Sequence, residues 1–426
     1  MIVLKKSHYI AALVVLALVV FFAARGGVQP EPAQAAGTSS LTSASAAPQP
    51  EETAAGTEPA AEGAAAQAED EPLVGVWIPY MSLSTAEKTE DAFKENYDAK
   101  LESARESGAN AVFVHVRPFA DSLYPSEYEP WSHILTGTQG EDPGYDPMQY
   151  MIDRAHESGM EFHAWINPLR ISTASTPDTL AETGFYMQNR ETNPFYFIEY
   201  DGGVYYNPAS AVVRERIADS AAEIAALYDV DGIHFDDYFY PTDDESIDSN
   251  QYAAYCEETD EPLPLHEWRT ANINALIAAV YQRIKQAAPD VVFGISPQGN
   301  LGNNEKINAD VYTWCAQSGY IDYICPQLYY SFENEALPFE EALESWNTME
   351  RLDSVKLYIG LAVYKAGTDA DDGTWLNTED TIARQIERAE ETGADGVLLY
   401  AVDYLDAEET RAEMANARVA IDALKP

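Results

Sequence analysis

The stretch AFKENYDAKLESARESGANAVFVHVRP, residues 92–118, contains the unit from which the fold can be predicted. Its first part has the apolar spacing of an amphipathic helix, and Gly108 stands where such a helix ends. Its second part, from residue 110, is a run of β-branched and aromatic residues short enough for a buried parallel strand. A helix that ends at glycine and leads within a few residues into a strand is typical of an α/β protein with a parallel sheet.

The same unit recurs along the chain. ESGAN at 106–110, ESGME at 157–161 and ETGAD at 391–395 each end a helical pattern and lead into an apolar run. The apolar runs together cover residues 73–80, 110–118, 160–168, 231–241, 291–299, 321–330, 356–364 and 395–404. Eight such units predict a closed (β/α)₈ TIM barrel. A doubly wound open sheet is the alternative, and it is disfavoured because no Gly-rich phosphate loop follows the first run.

Three connections are much longer than the others. They follow the second, third and fourth strands and span residues 119–146, 169–210 and 242–268. All three insertions therefore come after the carboxyl ends of strands, the face on which barrel enzymes build their sites. This asymmetry predicts a functional cleft at that face.

Composition narrows the class of partner. The chain of 426 residues has 25 Lys and Arg against 71 Asp and Glu, a formal net charge of −46. Such a charge repels phosphates, so nucleic acid is not an expected partner. The cysteines, Cys256, Cys315 and Cys325, are too few for a disulfide framework, and Cys325 is expected to be a buried small hydrophobe.

The first part of the chain has the pattern of an export signal. Two lysines precede an apolar run over residues 9–24, so residues 1–25 are predicted to be a signal peptide or a membrane anchor. Residues 26–71, rich in Ala, Ser, Thr, Pro and Gly, are predicted to be a disordered linker, and residues 72–426 the folded domain. The expected location is extracytoplasmic, either secreted or anchored to the outer face of the cytoplasmic membrane.

The fourth strand, DGIHFDDYFYP at 231–241, carries the candidate catalytic residues. Side chains alternate along a strand, which directs His234 and Asp236 to the barrel axis. Asp237 follows where the strand gives way to a loop. Two adjacent carboxylates repel each other, which raises the pKa of one and makes an acid and a base from identical groups. The structural alternative is that one aspartate binds an arginine or caps a turn.

Other strands also end in hydrogen-bonding and aromatic side chains. Sugar hydroxyls need donors and acceptors, and the C–H faces of a sugar stack on aromatic rings. Each residue alone fits barrel packing equally well, and only their convergence on one face indicates a site. The predicted substrate contacts are Arg117, Asp121, His163, Trp165, Asn167, Arg170, His234, Tyr238, Gln298, Asn300, Gln327, Tyr329, Tyr330, Tyr364 and Tyr400.

Several stretches resemble glycosyl-hydrolase-like family 10, and the resemblance covers residues 72–405. The stretches are GVWIPY, HVRPFADSLYPS, HAWINPLR, YYNPAS, DGIHFDDYFYP, PQLYY and DGVLLYAVDYL. The family consists of exported bacterial (β/α)₈ barrels. The resemblance implies cleavage of cell-wall glycan, specifically peptidoglycan strands without stem peptides, and it implies that Asp236 and Asp237 are the catalytic pair.

DGIHFDDYFYP also resembles the DGLDLDWEYP-type strands of chitinases, in which the last acid donates the proton. Tyr238 occupies that place here, so the adjacent pair is closer to hexosaminidases that use neighbouring carboxylates. On this hypothesis Asp236 orients the substrate's acetamide, Asp237 protonates the leaving oxygen, and Tyr238 or Tyr330 binds the acetyl carbonyl. Glu333, further out in a loop, is the alternative acid.

Arginines in an acidic protein are candidate sites for an anion. Arg117 and Arg170 are expected at the cleft, where a guanidinium matches the lactyl carboxylate of muramic acid with two parallel hydrogen bonds. For Arg117 an equal alternative is a structural ion pair with Asp121 or Asp236.

Two other functions stay open at this point. A metal-dependent polysaccharide de-N-acetylase would require His115, His163 and His234 to converge on a metal ion. A glycan-binding barrel without activity is the third possibility. The leading hypothesis requires neither metal nor cofactor, its partner is a polysaccharide, and the sequence does not predict an oligomeric state.

Overall fold

A computed structural model describes residues 71–236, 239–376 and 378–425, and its central element is a closed barrel of eight parallel strands. The barrel strands are β1 (Leu73–Ile78), β2 (Ala111–Arg117), β3 (Glu161–Ile166), β7 (Gly232–Phe235), β8 (Val292–Ile295), β9 (Tyr323–Ile324), β10 (Lys356–Ala362) and β11 (Gly396–Tyr400). Their order around the barrel is β1-β11-β10-β9-β8-β7-β3-β2. Each lies within one of the eight predicted runs, so the predicted TIM barrel is confirmed.

Helices connect the barrel strands. The helices of the described residues are α1 (Tyr80–Leu83), α2 (Glu90–Glu106), α3 (His133–Thr136), α4 (Pro147–Glu157), α5 (Phe185–Asn189), α6 (Ala211–Leu227), α7 (Ser249–Glu258), α8 (Leu265–Ala287), α9 (Leu301–Lys306), α10 (Val311–Ala316), α11 (Phe339–Asn347), α12 (Ala370–Gly373), α13 (Thr381–Glu391) and α14 (Arg411–Leu424). Short 3₁₀ turns lie at Pro194–Tyr196, Val363–Lys365 and Val402–Tyr404.

Helix α2 shows why the repeated unit folds as it does. The Thr89 side chain caps its first turn by accepting from the Ala92 N–H at 3.3 Å, and its buried face includes Phe93, Tyr97 and Leu101. Gly108 follows with φ of +95°, and the matching glycines of the two other repeats also have positive φ. A left-handed residue there reverses the chain into the next strand, which is why glycine recurs at this place.

The long connections carry secondary structure of their own. After β3 the chain forms a three-stranded sheet of β4 (Arg170–Ser172), β5 (Phe197–Tyr200) and β6 (Gly203–Tyr206), in the order β4-β6-β5. The connection after β7 contains α7. Both additions lie at the carboxyl ends of barrel strands, where the sequence predicted a cleft.

Two apolar cores lie on the two sides of the barrel wall. Outward residues of the strands, such as Ile233 and Phe235, pack against the helices. Inward residues fill the barrel with large side chains that include Trp77, Phe113 and Tyr323, and the buried Cys325 lies among them as predicted. The barrel interior is therefore a packed core and not a pore.

The predicted signal or anchor at 1–25 lies outside the described residues, as does the predicted linker up to residue 70. Within the described ranges, no helix combines the length and the apolar character needed to cross a bilayer.

Candidate active site

Asp236 lies at the carboxyl end of β7, directed into the barrel mouth, and is 3% exposed. The indole Nε1 of Trp165, the penultimate residue of β3, donates to its Oδ2 at 3.1 Å. Since Trp165 pairs with His234 in the β3–β7 register, Trp165 lies one level below Asp236 and supports it from inside the barrel. This places Trp165 as a partner of the carboxylate.

Asn167 is a second donor to Asp236. Its amide has one orientation that satisfies its neighbours, with the nitrogen donating to both carboxylate oxygens, at 2.8 Å to Oδ1, and the oxygen accepting from Arg170 Nε at 3.1 Å. The reverse orientation sets oxygen against carboxylate and nitrogen against guanidinium. The first residue of β4 is thereby linked through Asn167 to the residue that follows the fourth barrel strand.

Both carboxylate oxygens of Asp236 therefore face N–H donors. Such a shell stabilises the ionised carboxylate and leaves little room for a proton. The neighbouring Asp237 and Tyr238 lie outside the described residues, so their predicted roles as proton donor and acetyl-binding residue remain predictions.

The inward histidines of the central strands belong to a buried hydrogen-bond chain. Trp77 Nε1 donates to His234 Nε2 at 3.1 Å, and His234 Nδ1 lies 3.0 Å from the Tyr323 hydroxyl. That hydroxyl in turn lies 3.4 Å from His163 Nδ1. Because Trp77 can only donate, His234 Nε2 must accept, and burial holds the pKa of His234 well below its usual value.

Two predicted substrate contacts belong to this chain. His234 is completely buried one level below the mouth. His163 is deeper still, since its Nε2 lies 3.1 Å from the carboxylate of Glu161, the first residue of β3. Both side chains pack the barrel and do not line the cleft. The alternation of strand four was predicted correctly, but it does not say how far below the mouth an inward residue lies.

Arg117 and Asp121, two further predicted contacts, are also buried. A register shift between His115 and Arg117 pairs Arg117 with the outward residue Ile166, so that its guanidinium points away from the barrel axis. It is 0% exposed and bonds Glu129 Oε1 at 2.7 Å, so neither Asp121 nor Asp236 is the partner that the structural alternative named.

Asp121, also fully buried, holds the loop after β2 by accepting from the backbone N–H of Phe119 at 3.1 Å and from Gln139 Nε2 at 3.4 Å. These contacts hold the loop in its fold.

The opposite half of the mouth is more open. The predicted contacts that follow β8 to β11 are all partly exposed: Gln298, Asn300, Gln327, Tyr329, Tyr330, Tyr364 and Tyr400. Three of them form a tyrosine wall, which consists of Tyr329, Tyr364 and Tyr400 with ring centroids 5.9 Å apart in each pair. Exposed tyrosine rings with hydroxyls offer a sugar both stacking and hydrogen bonds.

Some residues of this half have structural duties. Asn300 caps helix α9 by accepting from the Asn303 N–H at 3.3 Å, and Gln327 Nε2 donates to the Ser296 carbonyl at 3.3 Å. Burial and the nearby Asp371 raise the pKa of Tyr330 to about 12, so its hydroxyl stays protonated and able to donate.

Two carboxylates near this half have different surroundings. Asp371 is bound by Lys365 at 2.8 Å, by the Ser331 N–H at 3.0 Å and by Trp375 Nε1 at 3.0 Å, which makes it a clamp between two loops. Glu333, the alternative acid, lies exposed in the loop after β9.

Two tyrosines near Arg170 were absent from the predicted set. Burial raises the pKa of Tyr80 and of Tyr205, and in both cases the Arg170 charge opposes the rise, so both hydroxyls lie within electrostatic reach of the guanidinium. Tyr205 is the cross-strand neighbour of Arg170 in the small sheet. The signal was present, because both residues lie within the motifs GVWIPY and YYNPAS.

A cavity of about 820 Å³ lies on the flank of the barrel, away from the mouth. Its walls are the loop over residues 125–131 and helix α6, with Trp131, Glu223 and Leu227 among its lining residues. No barrel strand end contributes to it, whereas Asp236 and the tyrosine wall converge at the mouth. The mouth therefore remains the candidate site.

A parallel (β/α)₈ barrel with a hydrogen-bonded carboxylate and aromatic side chains at its mouth is a glycosidase-like barrel. Residues 72–377 match the family described as Glycosyl hydrolase-like 10, and the chain belongs to that family. The chain is 31% identical over 388 residues to "Glycosyl hydrolase DigH" of Escherichia coli (strain K12), covering 82% of this chain and 87% of the relative.

It is 35% identical over 336 residues to "Glycosyl hydrolase YngK" of Bacillus subtilis (strain 168), covering 73% of this chain. The aligned part spans 63% of the length of that relative. Among solved structures, the PgaB (BpsB) glycoside hydrolase domain from Bordetella bronchiseptica has a TM-score of 0.54 at 15% identity, covering 81% of this chain and 98% of that one. This last likeness supports the fold alone.

Proposed function

We propose that the chain is an exported glycoside hydrolase that cleaves N-acetylhexosamine-containing cell-wall glycan, with peptidoglycan strands lacking stem peptides as the substrate. The observation that carries the proposal is Asp236, which points into the barrel mouth with N–H donors on both oxygens, in the half facing the tyrosine wall. An anion on one side and aromatic rings on the other suit a sugar ring that develops positive charge.

The proposed mechanism is substrate assistance. The acetamide oxygen of the sugar attacks its own anomeric carbon, the glycosidic bond breaks, and a general acid gives its proton to the leaving oxygen. Asp236 accepts the acetamide N–H and stabilises the charged ring that forms, while Asp237 is the proposed acid. Water then attacks the anomeric carbon, gives a proton to the Asp237 carboxylate and opens the ring intermediate, which restores the acetamide and the acid.

The test is to incubate the protein with intact peptidoglycan and with peptidoglycan stripped of stem peptides by an amidase, and to identify products by mass spectrometry. We expect soluble glycan fragments from the stripped polymer, inhibition by a thiazoline analogue of the cyclised intermediate, and loss of both products and turnover in Asp236→Asn. Asp98→Asn, a part-exposed helix carboxylate paired with Arg154, is the matched control and should retain activity. Full activity of Asp236→Asn would reject the proposal.

The same assay addresses the two alternatives. A de-N-acetylase would release acetate and leave chain length unchanged. Among the described residues no group of three or more His, Cys, Asp and Glu side chains is placed to hold a metal ion, and the ring of His115 is stacked on Trp165 at 3.8 Å, so no observation favours this activity. A binding barrel without activity would retain the polymer and release nothing.

A further inference from the structure

We infer that Asn167 and Arg170 form a positioning pair that holds Asp236 as an anion, so that Asp236 orients or stabilises the substrate and does not donate the proton. The charge state follows from the geometry alone, whereas the catalytic role rests on the proposed function. On this inference Arg170 supports Asn167 and does not recognise a substrate carboxylate.

The groups bonded to Asp236 from Trp165 and Asn167 are N–H donors. Trp165 Nε1 can only donate, and the amide nitrogen of Asn167 can only donate. A proton on either carboxylate oxygen would therefore face an N–H group instead of an acceptor. Asn167 is fully buried, so water does not readily replace its amide.

Asn167 is itself held in place by Arg170 and Arg117. On its side-chain oxygen it accepts from Arg170 Nε at 3.1 Å. On its backbone, its N–H donates to the Arg117 carbonyl at 3.0 Å and its carbonyl accepts from Arg117 Nη1 at 3.3 Å. The amide can turn its oxygen to Asp236 only by turning its nitrogen to a guanidinium, so Arg170 sets its direction.

Arg170 is in turn held by Phe119 and Pro118. Its guanidinium carbon lies 4.7 Å from the ring centroid of Phe119, its Nε lies 3.1 Å from the Pro118 carbonyl, and the residue is 8% exposed. A guanidinium packed on a ring and bonded within the protein is preorganised to hold its neighbour. Its surroundings suit a support for Asn167 better than a free anion-binding group.

Charged and titratable groups reach this site from several elements. Arg170 on β4 is positively charged, and the hydroxyls of Tyr80 and Tyr205 lie within its electrostatic reach. The Arg117 guanidinium bonds the Asn167 carbonyl.

His115 on β2 and His234 on β7 both have pKa values well below the usual value, chiefly because they are buried, and His115 is further lowered by Arg170. Both are neutral at physiological pH, so neither histidine adds a positive charge beside Asp236, whereas Asn167 and Arg170 stabilise its charge.

The test reads the charge of Asp236 without any assay of activity. The indole N–H of Trp165 is hydrogen-bonded to Asp236, so its ¹⁵N–¹H resonance reports protonation of that carboxylate. The chain has seven tryptophans, and the signal is assigned by its loss in Trp165→Phe. We expect the resonance of the full wild-type chain to stay unchanged from pH 8 to pH 5, a range above the pI of about 4.2.

In Asn167→Ala a buried carboxylate loses its main donor, and a titration should appear within this range. Arg170→Met should change the resonance in the same direction, with a midpoint about one pH unit or more above that of the wild type. Arg154→Met removes a part-exposed guanidinium far from the mouth and should leave the resonance flat. Circular dichroism checks that each variant is folded, and if Asn167→Ala is not, Asn167→Ser and Arg170→Met decide.

Two results would overturn the inference. One is a titration of the wild-type resonance between pH 5 and pH 8, which would make Asp236 a proton donor. The other is a flat resonance in both the Asn167 and Arg170 variants.

A kinetic arm separates this inference from the proposed function. Arg170→Met should lose turnover equally on chitin oligomers and on muramic-acid-containing glycan, whereas a loss confined to the latter would assign Arg170 to carboxylate recognition. If the wild type turns over no glycan, the proposed function fails, while the resonance experiment still decides the charge of Asp236.

Discussion

Polar side chains follow the strands in both halves of the barrel mouth, but the two halves use them differently. On the side of β2, β3 and β7 they are buried and bound to one another, as in the Arg117–Glu129 pair and the Asn167 link to Asp236. On the side of β8 to β11 they are partly exposed and include the tyrosine wall. The comparison suggests a division of labour in which one half positions the reactive carboxylate and the other contacts the sugar.

The difference lies in the insertions. The long connections after β2 and β3 supply Glu129 and Arg170, which bind residues of their own half, whereas the wall tyrosines follow strands with shorter connections. Burial turns charged residues into ion pairs, because an unpaired charge in a covered site is costly. The same residue types therefore become structural in one half and remain accessible in the other.

The largest effect on stability is expected for Arg117→Met in the buried half. Removing one partner of a buried ion pair leaves Glu129 with one fewer cation, and we expect the free energy of unfolding to fall by about 3–5 kcal/mol. Arg154→Met, at a part-exposed pair, should cost less than about 1 kcal/mol. Urea unfolding of both variants measures the difference, and equal small losses would mean that the buried half does not depend on its ion pair.

Lowering the pH should also reduce the stability of the buried half. The pKa values of His115 and His234 are lowered in the folded protein, so below the usual value of about 6.5 the unfolded chain binds protons that the folded chain does not. Stability should fall as pH decreases from 6.5, by up to about 1.4 kcal/mol per pH unit for each histidine. Unfolding from pH 7 to pH 5 should show a smaller slope in His234→Gln. His266 is exposed, and His266→Gln should keep the wild-type slope. An unchanged slope in His234→Gln would contradict the neutral state of the buried His234.

The smallest effect is expected in the open half. Tyr364→Ala should raise KM for glycan by a factor that corresponds to about 0.5–1.5 kcal/mol, the usual contribution of an aromatic contact, with little change in kcat. Tyr312→Ala, at a tyrosine that is 44% exposed on helix α10, is the control. Steady-state kinetics on stripped glycan provide the comparison. A loss in kcat alone would place Tyr364 in the positioning half.

The sequence predicted the barrel well because strand and helix patterns are local. The runs at all eight strands and the glycine of each repeated unit follow from apolar spacing and backbone conformation within a few residues. The long connections were also found, although the helix within 242–268 was not predicted.

The site was harder to predict because residues distant in sequence decide how deep a side chain lies in the barrel and which residue it binds. Arg117 turns outward through a register shift that no local pattern shows, and it meets Glu129 across a folded loop. His163 and Asn167 have the same parity on one strand, yet the first lies near the bottom of the barrel and the second at its mouth. Tyr205 reaches Arg170 only because β4 and β6 pair within an insertion.

The most direct test of the account is a crystal structure of the Asp236→Asn variant with a bound N-acetylhexosamine oligomer. We predict a sugar ring against the tyrosine wall, its acetamide facing position 236, and no contact with Arg117 or His163. An oligomer seated in the flank cavity between residues 125–131 and helix α6, with the mouth unoccupied, would contradict the central claim that catalysis takes place at the carboxyl ends of the barrel strands.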